Sequence, residues 1–364
     1  MKTLDSFNFK GKTVLARCDL DSPVVKGKVL MNERLKGNFK TLKELKNKKA
    51  KVVVIGHQGR PGQSDFTSLK QHAKLLKIKF VPDIIGKKAL EEIEKLKDGE
   101  VLMLENVRKL KDEFKGNSNN NLVKKLKEKC EVYVNDAFSV CHRKHTSVVG
   151  FPKVMRKCMG RSLEKELKAL KKLKKVKGLY ILAGTKPKDN INLLKGQKVL
   201  SCGIFGQLCL IAKGFKFGAQ NKFLRKKIGI VKKSKLRNIL TPIDFGVKVD
   251  GKRKELKLED FPSKYEIYDI GEETIKKYVS EIKKAKTVFM KGTAGYCEDK
   301  KFCKGTEEIL KAVSKCKFSV VGGGHLSEAV SKLKIKGINH VSLSGGTLLE
   351  YVSGKKLVGV EALN

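Results

Sequence analysis

The sequence predicts an α/β protein of two domains, each a parallel sheet flanked by helices. Two observations carry this: short apolar, β-branched runs recur along the chain, each closing on a polar or glycine-containing loop, and lysine-rich stretches of helical period lie between them. That alternation is the pattern of repeated βα units whose strands are buried on both faces. The first set of runs is TVLARCD, KVVVIG, EVLMLE and EVYVND; the second is GLYILAG, KVLSCG, TVFMKG, FSVVGGG and HVSLSGG. Between the sets, RSLEKELKALKKLKK places Leu163, Leu167, Leu170 and Leu173 on one stripe, with Glu164 four residues before Lys168. This reads as a long helix joining the two domains. The expected boundaries are 1–160 for the first domain, 161–175 for the helix, 176–348 for the second domain and 349–364 for a C-terminal tail.

Composition narrows the class. The 364 residues include 81 Lys+Arg against 38 Asp+Glu, a net charge of +43, and 40% are hydrophobic. Such a chain is too apolar for a disordered tail and long enough for two cores. The opening MKTLDSFNFKGK lacks the apolar stretch of a secretory signal, and no segment approaches the ~18 consecutive apolar residues of a membrane span, so a cytoplasmic location is expected. The cysteines contain no C-x-x-C pair, and their closest spacings are Cys202/Cys209 and Cys297/Cys303. Buried reduced thiols are expected, rather than a zinc ribbon or a disulfide framework. Lysines recur from Lys2 to Lys356 rather than in one block, with few aromatics among them. They read as solvated helix faces and not as a dedicated nucleic-acid site, although their field still attracts small anionic metabolites.

In open α/β sheets, ligands lie beyond the carboxyl ends of strands. In the first half those ends carry Arg17, Asp19 and Asp21; His57, Gln58, Gly59 and Arg60; Asn106 and Arg108; and Asp136, His142, Arg143 and His145, with Arg34 between the first two strands. Guanidinium forks clamp carboxylate or phosphate at two points, and imidazole adds a donor whose charge responds near neutral pH. The implied ligand is small, with a carboxylate and a phosphate. The second half has glycine-rich strand-to-helix turns instead: Gly184 with Lys186, Gly292 with Gly295, Gly322 to Gly324, and Gly345 with Gly346. Backbone N–H groups at such turns close on nucleotide phosphates. Gly246 to Lys252 fits G-x-x-x-x-G-K, but Arg253 stands where a magnesium-holding Ser or Thr belongs and the stretch is too polar for a P-loop strand. A cationic socket for an acid beside a nucleotide socket points to phosphoryl transfer. A carboxylate acceptor, with an intrinsic pKa of about 4, needs no general base, so catalysis reduces to alignment and charge neutralisation, with domain closure excluding water.

The segments VLARCDLDSP, IGHQGRPG, LENVRKLKDE, VNDAFSVCHRKHTS, MGRSLEKEL, LAGTKPKDN, TPIDFG, KGTAGYCED, VVGGGHLSEAV and HVSLSGGTLLEYVSGKKLVGVEAL together resemble the phosphoglycerate kinase family, in its archaeal branch, over essentially the whole chain. The resemblance implies two Rossmann-like domains, a tail that returns to the first domain, and reversible transfer of a phosphoryl group between ATP and 3-phosphoglycerate with Mg2+. The protein would be a monomer or a homodimer. By matched position, Asp19, Asp21, Arg34, His57, Arg60, Arg108 and Arg143 would hold phosphoglycerate, with Arg34 aligning its carboxylate. Lys186 would follow the phosphoryl group during transfer. Gly184, Gly203, Pro242, Glu298, Gly322, Gly323, Gly324, Gly345 and Gly346 would meet the nucleotide, Glu298 at the ribose, and Asp244 completes a P-x-D element. Departures are specific. Asp21 replaces a usual Asn, Asn190 replaces a second lysine common in bacterial and eukaryotic members, Lys291 replaces an Asn, Leu326 a Thr or Ser, and Ser344 a glycine. His325 stands where many members place an Asp near magnesium, so the metal is expected to be held mostly by nucleotide oxygens and water.

Overall fold

The computed structural model describes residues 1–194 and 196–364. They form two compact units, residues 1–168 with 354–364, and residues 169–353.

The first unit is built on six parallel strands: β1 (Thr13–Arg17), β4 (Lys51–Ile55), β5 (Lys79–Phe80), β6 (Val101–Met103), β7 (Val132–Asn135) and β8 (Arg156–Met159). They run in the order β5-β6-β4-β1-β7-β8, and a small hairpin, β2 (Val24–Val25) with β3 (Lys28–Val29), stands apart. The central strands read V-L-A, V-V-V and V-Y-V and are fully buried, as a sheet covered on both faces requires. The helix Glu33–Asn47 begins with Asn32, whose side chain accepts from the Leu35 N–H at 3.0 Å. The chain returns to this unit at Gly354, where Gly359 N–H donates to the Cys141 carbonyl at 2.8 Å and Ala362 packs on Val148 and Val149. The helix Gly346–Val352 before it belongs to the second unit, so the tail begins later than position 349.

In the second unit, β9 (Leu179–Leu182), β10 (Lys198–Ser201), β11 (Ile239–Leu240), β15 (Thr287–Lys291), β16 (Phe318–Gly322) and β17 (His340–Ser342) form a second parallel sheet, ordered β11-β10-β9-β15-β16-β17. A separate antiparallel sheet comprises β12 (Asp244–Val249), β13 (Lys252–Lys257) and β14 (Ile267–Ile270). The polar stretch that mimics a P-loop is the β12–β13 hairpin, turning on Asp250 and Gly251, both at positive φ. An Asp-Gly pair of this kind suits the twist of a tight hairpin, which the alternating lysines leave half solvated.

The leucine-striped helix spans Arg161–Lys174, with its four leucines buried. The division between units falls within it, after Lys168. One expectation fails outright: Cys297 and Cys303 form a disulfide. The turn between them brings their Cα atoms to 4.3 Å, a reversal that spacing alone did not reveal. Cys18, Cys130, Cys141, Cys158, Cys202 and Cys209 are buried free thiols. No described helix is long and apolar enough to cross a membrane.

Candidate functional site

In the first unit, the loops leaving β1, β4, β6 and β7 carry the cationic residues. Arg17 ends β1 fully buried: Nε donates to Ser147 Oγ at 2.9 Å, Nη2 donates to His57 Nδ1 at 2.8 Å, and Nη1 donates to the Cys18 carbonyl. Because a guanidinium only donates, His57 Nδ1 accepts and its proton sits on Nε2. Burial, reinforced by the positive charges of Arg17 and Arg108, holds the His57 pKa well below its ordinary value. His57 is therefore a fixed neutral donor, and not the pH-responsive cation that residue type alone suggests. Ser147 also donates, from Oγ at 2.7 Å and from its backbone N–H at 2.9 Å, to the fully buried Glu113 carboxylate, whose Oε1 lies 3.5 Å from His145 Nδ1. Sequence reasoning missed Ser147 and Glu113; a lone acid in LKDEF offers no signal.

Arg34, in the first turn of its helix, lies 3.8 Å from the Asp19 carboxylate through Nε and 3.7 Å from that of Asp21 through Nη1. Asp21 accepts from the Gly59 N–H at 3.0 Å as well, so the negative charge at this usual Asn position is offset by a cation and a backbone donor. Gly59 has φ +65, and a Cβ there would run into the Asp65 backbone, so only glycine fits. Its carbonyl accepts from Arg108 Nη1. Arg108 is 5% exposed, and its Nε and Nη2 are buried with no partner, as is Asp19 Oδ1. Burial lowers the Arg108 pKa to about 10, with Arg143 and Arg17 adding like-charge repulsion. Arg143, half-buried, has its pKa lowered by burial and then by Arg60, which is exposed. The seven residues expected to hold phosphoglycerate thus converge on one cluster with an excess of positive charge.

The second unit brings together the exits of β9, β10 and β15. Gly184, Gly203 and Gly292 are adjacent: a Cβ on Gly203 would lie 3.1 Å from Gly184 N and 3.0 Å from Thr293 O, and one on Gly292 would meet Ala183 O at 2.6 Å. Lys186 is exposed, immediately before the short helix Pro187–Ile191. Pro242 abuts Gly206 in the helix Gly203–Ala212. Gly323 and Gly324 open the helix Gly324–Lys332 with clear space around their Cα atoms, and Gly345 with Gly346 opens the helix Gly346–Val352. Gly322 differs: it is buried at the end of β16 with Leu348 pressed on it, a packing glycine whose missing side chain admits a leucine. Asp244 differs too. Its carboxylate accepts from Glu273 N–H at 2.9 Å, Thr274 N–H at 2.8 Å and Thr274 Oγ1 at 2.5 Å, which commits it to starting the helix Glu272–Lys283. Glu298 is exposed and accepts from the Tyr296 hydroxyl at 2.6 Å, inside the loop closed by Cys297–Cys303. His325 is exposed in the first turn of its helix, and among the described residues no group of three or more His, Cys, Asp or Glu could hold a metal.

A sequence profile described as phosphoglycerate kinase matches residues 4–355. The chain belongs to the phosphoglycerate kinase family. Phosphoglycerate kinase from Methanothermus fervidus is 38% identical, covering 99% of this chain and 96% of that one. That from Archaeoglobus fulgidus is 36% identical over 100% of this chain and 96% of the relative. The crystal structure of phosphoglycerate kinase from Pyrococcus horikoshii superposes with a TM-score of 0.93 at 34% identity, covering 100% of this chain and 98% of that one. A bacterial phosphoglycerate kinase, from Coxiella burnetii, gives 0.84 at 28% identity. The whole-chain match of phosphoglycerate kinases extends through both parallel sheets, so neither unit is an unrelated addition.

Proposed function

We propose that this chain catalyses reversible phosphoryl transfer between ATP and the carboxylate of 3-phosphoglycerate, giving 1,3-bisphosphoglycerate and ADP, in the cytoplasm. The observation that carries the reading is Arg108, a buried guanidinium with two unmatched donors among other cations. A buried donor without a partner costs ~1–3 kcal/mol, and a phosphate or carboxylate oxygen would recover it. Arg60, Arg143 and the Nε2–H of His57 would add contacts to the same anion. Arg34, tethered between Asp19 and Asp21, would align the substrate carboxylate and neutralise charge as the phosphoryl group arrives. The acceptor carboxylate is ionised at neutral pH, so it attacks without a base, and the side chains need only orient and offset charge.

On the nucleotide side, the helix starts at Gly203 and Gly324 offer backbone donors to phosphates, and Lys186 would follow the transferring group and stabilise its charge in flight. Glu298 would accept from a ribose hydroxyl. His325 does not suit Mg2+: a solitary imidazole at the positive end of a helix is a poor site for a hard cation. Among the described residues no side chains form a magnesium cage, so the ion would come with the nucleotide's own phosphates. Closure of the two domains over both substrates would keep water from the acyl phosphate.

The test is a coupled assay of 3-phosphoglycerate-dependent ATP consumption beside Arg34→Ala. Turnover that requires both substrates and drops about a hundredfold or more in a folded variant supports the reading. Near-normal turnover in Arg34→Ala removes that residue from the mechanism. No activity in the folded wild type overturns the assignment.

A further inference from the structure

Lys291 is the last residue of β15, the strand flanked by β9 and β16 in the second sheet, and in register it stands beside Leu182 on one side and Gly322 on the other. Its neighbours are therefore the β9 exit that carries Gly184 and Lys186 and the β16 exit that carries Gly323 and Gly324. The residue is 8% exposed. Its ammonium donates to Asn190 Oδ1 at 3.0 Å and lies 3.5 Å from the half-exposed Asp189 carboxylate. Asn190 in turn donates from Nδ2 to the Ala183 carbonyl at 3.0 Å, which fixes the amide oxygen toward the lysine.

Burying an ammonium costs several kcal/mol unless its donors are matched and its charge is paired. An ammonium has three donors, and here one meets a neutral amide and one a loosely placed carboxylate. Lys186 adds repulsion: burial lowers the Lys291 pKa, and the charge of Lys186 pushes it the same way against the pull of Asp189. Two cations sharing the mouth of one sheet, with one carboxylate 3.5 Å from one of them, are a poor structural ion pair and a good seat for a polyanion. A lysine at 190 with an asparagine at 291 would keep this amide–ammonium pair and move its charge from the strand to the helix.

We propose that Lys291 is a second catalytic cation of this enzyme, contacting the terminal phosphate of the nucleotide alongside Lys186 and held in place by Asn190. The assignment rests on the phosphoglycerate kinase reading above. Its role is to offset charge on the phosphoryl oxygens, a contact absent for a nucleoside that lacks phosphates.

The test compares Lys291→Met with the double exchange Asn190→Lys/Lys291→Asn in the full-length enzyme, reading kcat, KM for ATP, thermal midpoint, and calorimetric binding of ADP, ATP and adenosine. The expected result is a fall of about 30-fold or more in kcat for Lys291→Met, with ATP bound several-fold more weakly, adenosine unchanged and no loss of thermal midpoint. The double exchange returns kcat to within about tenfold of wild type. Turnover of Lys291→Met within about threefold of wild type overturns the proposal, as does a variant whose adenosine and ATP binding fall together. If Lys291→Met does not fold, a folded double exchange with kcat no better than Lys186→Ala overturns it instead. Wild-type enzyme inert toward 3-phosphoglycerate defeats the underlying reading separately, and the contrast between ATP and adenosine binding then still decides whether Lys291 meets a phosphate.

Discussion

The two candidate binding regions are built from different materials. In the first unit the proposed ligand would be met by side chains whose charges are already in place and cross-braced: Arg17 orients His57, Asp21 and Gly59 tie down Arg34 and Arg108, and the surplus is positive. In the second unit it would be met by backbone, at turns where Gly323, Gly324 and Gly345 have open space around them. A side-chain socket stores repulsion that its ligand relieves, whereas a backbone socket stores conformation. The two should therefore fail differently when altered. Removing charge from the first should cost affinity without stability, and adding a methyl group to the second where its exits are pressed together, as at Gly292, should cost stability and affinity together.

The largest effect is expected at Arg108. Arg108→Met keeps most of the volume and removes a buried charge that Arg143 and Arg17 repel. Charge-assisted hydrogen bonds are worth ~1.5–3 kcal/mol each, so losing two should weaken 3-phosphoglycerate binding about a hundredfold or more. The thermal midpoint should hold or rise. A variant that binds substrate normally but unfolds several degrees earlier would show that Arg108 is structural, and would erase the distinction between the regions.

Gly292 and Gly324 sharpen the same contrast on the backbone side. Gly292 has φ +79, and an added Cβ would lie 2.6 Å from the Ala183 carbonyl, where the β9 and β15 exits are pressed together. Gly292→Ala should destabilise by ~1–3 kcal/mol and weaken ADP by a comparable factor, since the turn must shift. At Gly324 nothing lies within 4 Å and φ is not positive, so Gly324→Ala should leave the thermal midpoint unchanged. Calorimetric ADP binding and thermal melts of both variants check this; equal melts would mean that the exits are not closely packed.

The same difference governs what was legible in the sequence. Strand ends are readable from hydrophobic runs, so the arginines and histidines stood out by recurring there. What those groups bond to was not readable, because the partners are distant in sequence: Arg17 meets Ser147, and Lys291 meets Asn190. The glycines marked strand-to-helix turns but not what each turn packs against, since Gly322 admits Leu348 while Gly323 faces open space. Asp244 looked like part of a nucleotide motif because its neighbours in sequence did. Its carboxylate is bound thirty residues downstream, at Thr274. The Cys297–Cys303 disulfide depended on a loop reversal that no local pattern records.

The last effect is pH-dependent and concerns the two buried acids, one in each unit. Asp269 sits beside Arg253 at 2.8 Å, and burial pushes its pKa up to about 6 against the pull of the Gly305 N–H and that guanidinium. Asp136 has no such cation beside it to lower its pKa. Its Oδ1 accepts from Ser162 N–H at 2.7 Å and Leu163 N–H at 3.2 Å, its Oδ2 has no partner, and burial pushes its pKa up to about 7. The folded state therefore holds the Asp136 proton more tightly than the unfolded chain does. The stabilisation is complete below about 3.8, the unfolded value, and is lost as pH rises through about 7, at up to ~1.4 kcal/mol per pH unit. Asp136→Asn keeps one acceptor oxygen at the start of the helix Arg161–Lys174 and cannot ionise. Relative to wild type it should gain stability between pH 5 and pH 7.5, measured by urea unfolding at each pH. Parallel pH dependence in the two proteins would mean that Asp136 is ionised in the fold, with a nearby cation supplying what Arg253 supplies to Asp269.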